Sequence, residues 1–417
     1  MRDKALQYHS NNGIGNGKIE VIPKVKVDTR EELSLAYTPG VAIPCMEIHN
    51  NPEKIYDYTI KENTVMVVSD GSAVLGLGNI GPAASIPVME GKALLFKIFG
   101  GVDAYPLIID SQDTEKIIET VKSTSLIAGG INLEDISAPR CFEIENRLSE
   151  ELDIPIFHDD QHGTAVVSLA GLINALKITN KKIDEIKIVI NGAGAAGVAI
   201  AKLMLTYGAK NIIVADTKGA VYYGRSDNMN PSKEELARIT NPDRESGELS
   251  DIMRGADVFL GVSVKDAISA EMIKSMNRDA IVFAMANPDP EILPDIAVDA
   301  GAAVVATGRS DFPNQVNNVL GFPGIFRGLL DVRAKKVTDN MKIAASLSIA
   351  GFVKENDLDR NKIIPSVYEF EVFAYEAQAV ASQAVKDGVA RLEIGENEVF
   401  NNTLRVLNEN QRRFFNK

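Results

Sequence analysis

The stretch from Lys187 to Asp216, KIVINGAGAAGVAIAKLMLTYGAKNIIVAD, constrains this chain more than any other. Ile188, Val189 and Ile190 make a short β-branched run that breaks at Gly192, and Gly192, Gly194 and Gly197 stand in the spacing G-x-G-x-x-G. The pattern predicts a strand turning into a helix. Gly192 permits the tight turn, Gly194 lets a pyrophosphate approach the backbone, and Gly197 lets the helix lie close on the sheet. The free N–H groups at the helix start, around Ala193, Ala195 and Ala196, then face the anion. The helix is expected from about Ala195 to Tyr207, with Gly208 as its cap. A second apolar run, Ile212 to Ala215, ends on Asp216, where an acid would accept hydrogen bonds from an adenosine ribose. A plain glycine turn in an α/β sheet would need none of these companions, so strand, helix and acid together point to dinucleotide binding.

At 417 residues the chain is long for one core, and two domains are the natural expectation. A net charge of −13 argues against a nucleic-acid or anionic-membrane surface. An anionic substrate must therefore be met by local cations or a metal. The two cysteines, Cys45 and Cys141, have no metal-type or redox-type spacing and are expected to be buried, reduced thiols. The N-terminus lacks the apolar core of a secretory signal and no apolar run approaches a membrane span, which makes the expected location cytoplasmic.

Strand-like runs at Thr64–Ser69, near Asp110, at Gly129–Ile136 and at Ile154–His158 alternate with helical stretches, the pattern of βαβ units and a largely parallel sheet. Three more runs, from Asp257, Ala280 and Ala303, extend the nucleotide-binding sheet after a polar insertion, Thr217–Ser250. The expected fold is α/β with two domains. Residues 1–160 form an N-terminal α/β substrate domain, and residues 161–417 a doubly wound Rossmann-type dinucleotide-binding domain with C-terminal helices. GLGNIG at Gly76–Gly81 repeats the glycine spacing, but Pro82 and Pro87 follow where a nucleotide-binding helix needs backbone donors.

Ligands in such sheets bind beyond the carboxyl ends of the strands, and acids stand there. Glu134 and Asp135 close one strand, Asp159 and Asp160 the next; they either cap the following helices or surround a cation, and oxygen ligands favour Mg²⁺ or Mn²⁺. His158 and His162 are taken as packing or hydrogen-bonding residues. Lys92 is expected at a helix start, where it either snorkels to water or has a lowered pKa that suits a base. Tyr37, beside the Pro39–Gly40 turn, is expected at a loop base, with projection into a cleft as the other possibility. Asn287, Asn317 and Asn318 serve turns or hydrogen-bond a carboxylate or nicotinamide.

YTPGVA at Tyr37, DGSAVLGLGNIG at Asp70, PVMEGKALLFKIFGGVD at Pro87, NLED at Asn132, FHDDQHGTA at Phe157, NGAGAAG, FAMANPDPE at Phe283 and PNQVNNVLGFPGIFRG at Pro313 together resemble the malic enzymes in their short bacterial-type form. The resemblance spans nearly the whole chain in motif order. It implies oxidative decarboxylation of L-malate to pyruvate and CO₂ by a homodimer, with NAD or NADP and with Mg²⁺ or Mn²⁺. It also implies that Tyr37 is the general acid and Lys92 the general base, that Glu134, Asp135 and Asp160 bind the metal, and that Asn287 and Asn318 contact substrate. One departure stands out: longer relatives carry an arginine in the segment matched by Asp70–Leu75, where this chain has Ser72 and Ala73. Asp216 should repel the 2′-phosphate of NADP and favour NAD, with Lys218 partly offsetting it. Two other readings stay open: an amino-acid or shikimate-type dehydrogenase, which has no use for the acid trio, and a dinucleotide-binding sensor without turnover.

Overall fold

In the computed structural model, which describes residues 2–10, 16–74 and 76–415, strands and helices alternate into two sheets. Helices α1 (Arg2–Ser10), α2 (Arg30–Ala36), α3 (Ala42–Asn50) and α4 (Ile55–Tyr58) precede β1 (Thr64–Ser69). Then follow α5 (Pro82–Gly100), β2 (Asp103–Ile108), α6 (Thr114–Thr124), β3 (Gly130–Leu133), α7 (Arg140–Glu151) and β4 (Ile156–His158). The four strands run parallel in the order β2-β1-β3-β4. Val68 lies opposite Leu133 and Leu133 opposite His158, so β1, β3 and β4 end at one edge. Every residue of β1 is buried, as expected of a parallel strand covered on both faces.

Helix α8 (Asp159–Thr179) starts directly from β4 and carries the chain into the second sheet. That sheet is built by β5 (Lys187–Asn191), α9 (Ala195–Tyr207), β6 (Asn211–Asp216), β7 (Gly219–Ala220), α10 (Pro231–Ile239), α11 (Leu249–Ile252), β8 (Val258–Gly261), α12 (Ala270–Lys274), β9 (Ala280–Ala284), α13 (Pro294–Asp299) and β10 (Ala302–Thr307). Its order is β10-β9-β8-β5-β6-β7, parallel except for β7. The strand order reverses between β5 and β8, the crevice where doubly wound sheets bind their ligands. Helices α14 (Phe322–Asp331), α15 (Asp339–Phe352), α16 (Glu371–Lys386) and α17 (Glu398–Phe414) complete the chain. One apolar core joins both sheets through α8, and the C-terminal helices return to the first: the Phe96 ring of α5 packs 4.7 Å from Phe322 and 5.2 Å from Phe326.

Several expectations need correction. The first forty residues, which lack clear periodicity in sequence until Ser34, hold helices α1 and α2, and α2 opens on a capping box between Thr29 and Glu32. Helix α5 begins at Pro82 rather than near Pro87, because a proline at the first helical position loses no hydrogen bond. The polar insertion contains β7 and α10. Cys141 is buried as expected, but Cys45 is exposed on α3. Among the described residues no helix is long and apolar enough to cross a membrane.

Candidate active site

The carboxyl ends of β1, β3 and β4 converge, and the residues that follow them carry the charge. Glu134 comes directly after β3, and Asp135 takes a left-handed backbone with φ 53, a conformation that non-glycine residues reach only at a cost. Its N–H donates to Asp160 Oδ2 at 2.8 Å, and its carbonyl accepts from the Ala73 N–H at 2.9 Å, so both neighbouring loops hold the turn. One carboxylate oxygen from each of Glu134, Asp135 and Asp160 lies within 4.8 Å of the others. Burial, opposed by Lys92 and reinforced by Asp160, pushes the Glu134 carboxyl up to about 7. Burial and the neighbouring Asp159 push Asp160 up to about 6. Two buried acids and a half-buried one that repel one another form an all-oxygen donor set, and such a set fits a hard divalent cation.

Lys92 stands beside this trio, though not as the sequence suggested. It is the eleventh residue of α5, well inside the helix, and its ammonium is buried between two carboxylates. Nζ lies 2.5 Å from Asp159 Oδ2 and 2.9 Å from Glu134 Oε1, with the Phe322 ring centroid 4.1 Å away. Burial alone would pull Lys92 down, but the ion pairs with Asp159 and Glu134 outweigh it and hold the ammonium above its ordinary value. The expected lowering is absent because Lys92 lies inside its own helix and the carboxylates of Asp159 and Glu134 outweigh it. Asp159, which the sequence reading gave no separate role, is the centre of this arrangement. Its Oδ2 also accepts from Asn318 Nδ2 at 2.6 Å, and burial pushes its carboxyl up to about 7. Gly163, one turn along α8, keeps the space free: a Cβ there would meet Asp159 Oδ1 at 1.9 Å.

The other candidates divide. Asn318 joins the Lys92 cluster through Asp159. Asn287 stands at the carboxyl edge of the second sheet, held by a bond to the Met285 carbonyl at 3.3 Å, and the Asn287–Pro288 segment closes on Gly76 of the loop after β1. The two sheets thus face each other across their carboxyl ends. Tyr37 is outside this group. Its side chain is 70% exposed at the end of α2 and makes no hydrogen bond, ion pair or ring contact among the described residues. His162 Nε2 donates to the Glu145 carboxylate at 3.0 Å, a hydrogen-bonding role as expected. At the position where an arginine was missing, Arg140 reaches in from α7: one of its terminal nitrogens donates to Ser72 Oγ at 3.0 Å and Asp70 Oδ2 at 2.9 Å.

The glycine turn between β5 and α9 has the geometry its spacing predicts. Gly192 has φ +127, and a Cβ there would meet the Val262 carbonyl oxygen at 2.6 Å; one on Gly197 would meet the Gly192 carbonyl oxygen at 1.7 Å. A Cβ on Gly194 would meet nothing within 4 Å, so this glycine borders open space, and no side chain caps α9. The helix N-terminus is thus free to take an anion. Asp216 ends β6 as expected but is already engaged. Its Oδ1 accepts from Arg225 at 2.9 Å and from the Lys218 N–H at 2.9 Å, and its Oδ2 from Arg225 at 2.5 Å, Lys233 at 2.6 Å and Asn228 at 3.1 Å. Despite burial these partners hold its carboxyl at about 2. The insertion that supplies Arg225 and Lys233 gave no sign of this in its composition.

Comparison with known proteins matches residues 16–149 to the malic enzyme N-terminal domain and residues 161–385 to the malic enzyme NAD binding domain. A bifunctional malic/malolactic enzyme of Bacillus subtilis (strain 168) is 55% identical over 406 residues, 97% of this chain and 98% of that protein. An NAD-dependent malic enzyme of Geobacillus stearothermophilus is 58% identical over 375 residues, 90% of this chain and 78% of that protein. The crystal structure of a malic enzyme from Pyrococcus horikoshii Ot3 superposes with a TM-score of 0.95 at 52% identity, covering 99% of this chain and 97% of that one.

Proposed function

The chain belongs to the malic enzyme family, and from that premise we propose that it oxidises and decarboxylates L-malate to pyruvate and CO₂ with reduction of NAD, aided by Mg²⁺ or Mn²⁺. The observation that carries the reading is the juxtaposition of buried Lys92 with the three converging carboxylates, on a cleft whose other wall holds the glycine turn. A dehydrogenase of the amino-acid or shikimate type would have no use for that trio.

Glu134, Asp135 and Asp160 would hold the cation, which when bound supplies Lewis-acid polarisation of the substrate oxygens. Lys92 takes the C2 hydroxyl proton as hydride leaves for the nicotinamide. It presents a lone pair only when its own proton has moved to Asp159; the 2.5 Å contact gives the path, and the ion pairs that hold the ammonium above its ordinary value set the cost of that transfer. Asn318, oriented by Asp159, and Asn287 on the opposite wall hydrogen-bond the substrate carboxylates. The Phe322 face keeps water from one side of Lys92. Tyr37 O–H protonates C3 of the enol left by CO₂ loss. Residues 1–160 supply Tyr37, Lys92 and the acids, and residues 161–417 supply Asn287, Asn318 and Phe322 and hold the dinucleotide at Gly192 to Gly197.

NAD is preferred because Arg225 and Lys233, both buried, direct their donors to Asp216 and to backbone carbonyls rather than outward to a 2′-phosphate. The chain functions as a homodimer. The test is to supply L-malate and NAD with Mn²⁺ and again with a chelator, following pyruvate and reduced nicotinamide. Turnover only with the metal is the expected result, and equal turnover with the chelator would remove the cation from the reaction.

A further inference from the structure

We infer that Glu291 is a specificity-determining residue for the redox state of the dinucleotide: its buried negative charge, which no cation among the described residues neutralises, favours the positively charged nicotinamide ring of NAD over the neutral ring of NADH. The inference rests on the reading of Gly192 to Gly197 as the pyrophosphate site and adds which redox form the crevice prefers.

Glu291 folds back onto the carboxyl edge of the second sheet, between the segments that follow β8 and β9. Its Oε1 accepts from the Ser263 N–H at 2.9 Å and from Ser263 Oγ at 3.3 Å, and its Oε2 accepts from the Ala286 N–H at 3.0 Å. Asn191, the last residue of β5, donates through Nδ2 to the same Ser263 Oγ at 2.8 Å, which leaves the hydroxyl proton for Glu291. The side chain is fully buried, and Gly261 makes room for it: a Cβ there would meet Glu291 Cδ at 2.4 Å. One carboxylate thus ties together the ends of β5, β8 and β9, where the strand order reverses.

Every group that donates to these two oxygens is neutral. Such donors favour the ionised carboxyl while burial opposes it, and no lysine, arginine or histidine among the described residues pairs with it. Other acids of the cleft are answered within the chain. Glu134 and Asp159 share Lys92, and Asp216 is held by Arg225 and Lys233. A buried anion without a counter-charge is unfavourable, so a ligand that brings positive charge beside it binds more tightly. The dinucleotide does so on one side of the reaction only. With its pyrophosphate on the glycine turn and its adenosine ribose toward Asp216 and β6, its other half crosses to the β8 and β9 side of the crevice. The nicotinamide ring carries one positive charge before it accepts hydride and none after. The pyrophosphate is common to both forms, so its repulsion by Glu291 cancels in their ratio.

Binding rather than turnover decides the matter. Dissociation constants are measured by calorimetry, with Mn²⁺ and without malate, for NAD, for NADH and for a dinucleotide whose nicotinamide is replaced by the uncharged benzamide ring. Benzamide is flat and of the same size as nicotinamide, so it separates charge from shape. Wild type should bind NAD about tenfold more tightly than the benzamide dinucleotide, the order expected of one unit charge pair in a partly hydrated cleft. Glu291→Gln should lose that preference, and Glu291→Asp, which keeps the charge, should retain it. A structural role alone would weaken all three ligands by one factor in Glu291→Gln and leave the preference as it was, which would overturn the inference. So would a wild type that does not distinguish NAD from the benzamide dinucleotide, a comparison that needs no variant to fold. If none of the three ligands binds, the dinucleotide reading falls and takes the inference with it. The expected preferences in a protein that does not oxidise malate would remove the proposed reaction and still support the role of Glu291.

Discussion

At the scale of single residues, the account assigns Lys92 and Asp159 to one proton-transfer step. Lys92→Ala should lower malate oxidation by roughly 10²–10⁴ in rate, the usual cost of losing a general base. Decarboxylation of added oxaloacetate bypasses hydroxyl deprotonation and should fall much less. Equal losses in both assays would make Lys92 a positioning residue. Asp160→Asn should abolish turnover at ordinary Mn²⁺ while leaving dinucleotide affinity, measured by calorimetry, nearly unchanged; normal turnover in that variant would take Asp160 out of the cation site. At the far end of the dinucleotide, Asp216→Ser should release the donors of Arg225 and Lys233 and raise the ratio of kcat/KM for NADP over NAD by about tenfold, equivalent to ~1.4 kcal/mol. An unchanged ratio would mean that the ribose is read elsewhere. Asp159 shows what adjacent residues conceal in a sequence. Two aspartates side by side look equivalent, but successive positions at a helix start point in different directions. Asp159 turns to Lys92 and Asn318 while Asp160 turns to Asp135.

At the scale of elements, glycine spacing and strand alternation were legible because each has a local cause. Gly192, Gly194 and Gly197 meet the steric needs that their spacing implies, and the strands that end on Ser69, His158 and Asp216 lie where apolar runs break. The start of α5 was not legible, since Pro82 and Pro87 are equally suited to a first turn and only the Gly81 turn, with φ +81, selects the earlier one. That five-residue difference moved Lys92 from a helix start to a helix interior, and the carboxylates of Asp159 and Glu134 reversed the expected direction of its shift. The contact between α14 and α16 holds a further titratable group. Glu376 is fully buried, a Cβ on Gly324 would meet its Oε2 at 2.0 Å, and burial raises its carboxyl well above the ordinary value. The folded chain therefore keeps a proton on Glu376 that the unfolded chain releases above about 4.5. Its contribution is intact below that pH and is lost by about 1.4 kcal/mol per pH unit as pH rises toward the folded value. Glu376→Gln cannot release the proton, so its melting temperature should exceed that of wild type increasingly from pH 5 to pH 8. Parallel melting curves across that range would contradict a buried neutral carboxyl.

At the scale of the molecule, the two parallel sheets and their order of use follow from patterns along the chain, but the way they are joined does not. Helix α8 is apolar on nearly every face because it lies between the sheets, and Phe322 and Phe326 return from the C-terminal helices to pack on Phe96 of α5. Contacts between residues more than two hundred positions apart leave no local periodicity. The same holds for the cleft, which depends on Asn287–Pro288 closing on Gly76 and on Asn318 reaching Asp159. These contacts place Lys92, the acid trio and the glycine turn around one space, and the central claim is that malate loses its C2 hydride and its carboxylate there. The most direct measurement uses L-malate deuterated at C2 with Mn²⁺ and NAD, followed by mass analysis of both products. The account predicts one deuterium on the reduced nicotinamide for each unlabelled pyruvate formed. Deuterium retained in a three-carbon product, or lactate formed without reduced nicotinamide, would contradict it.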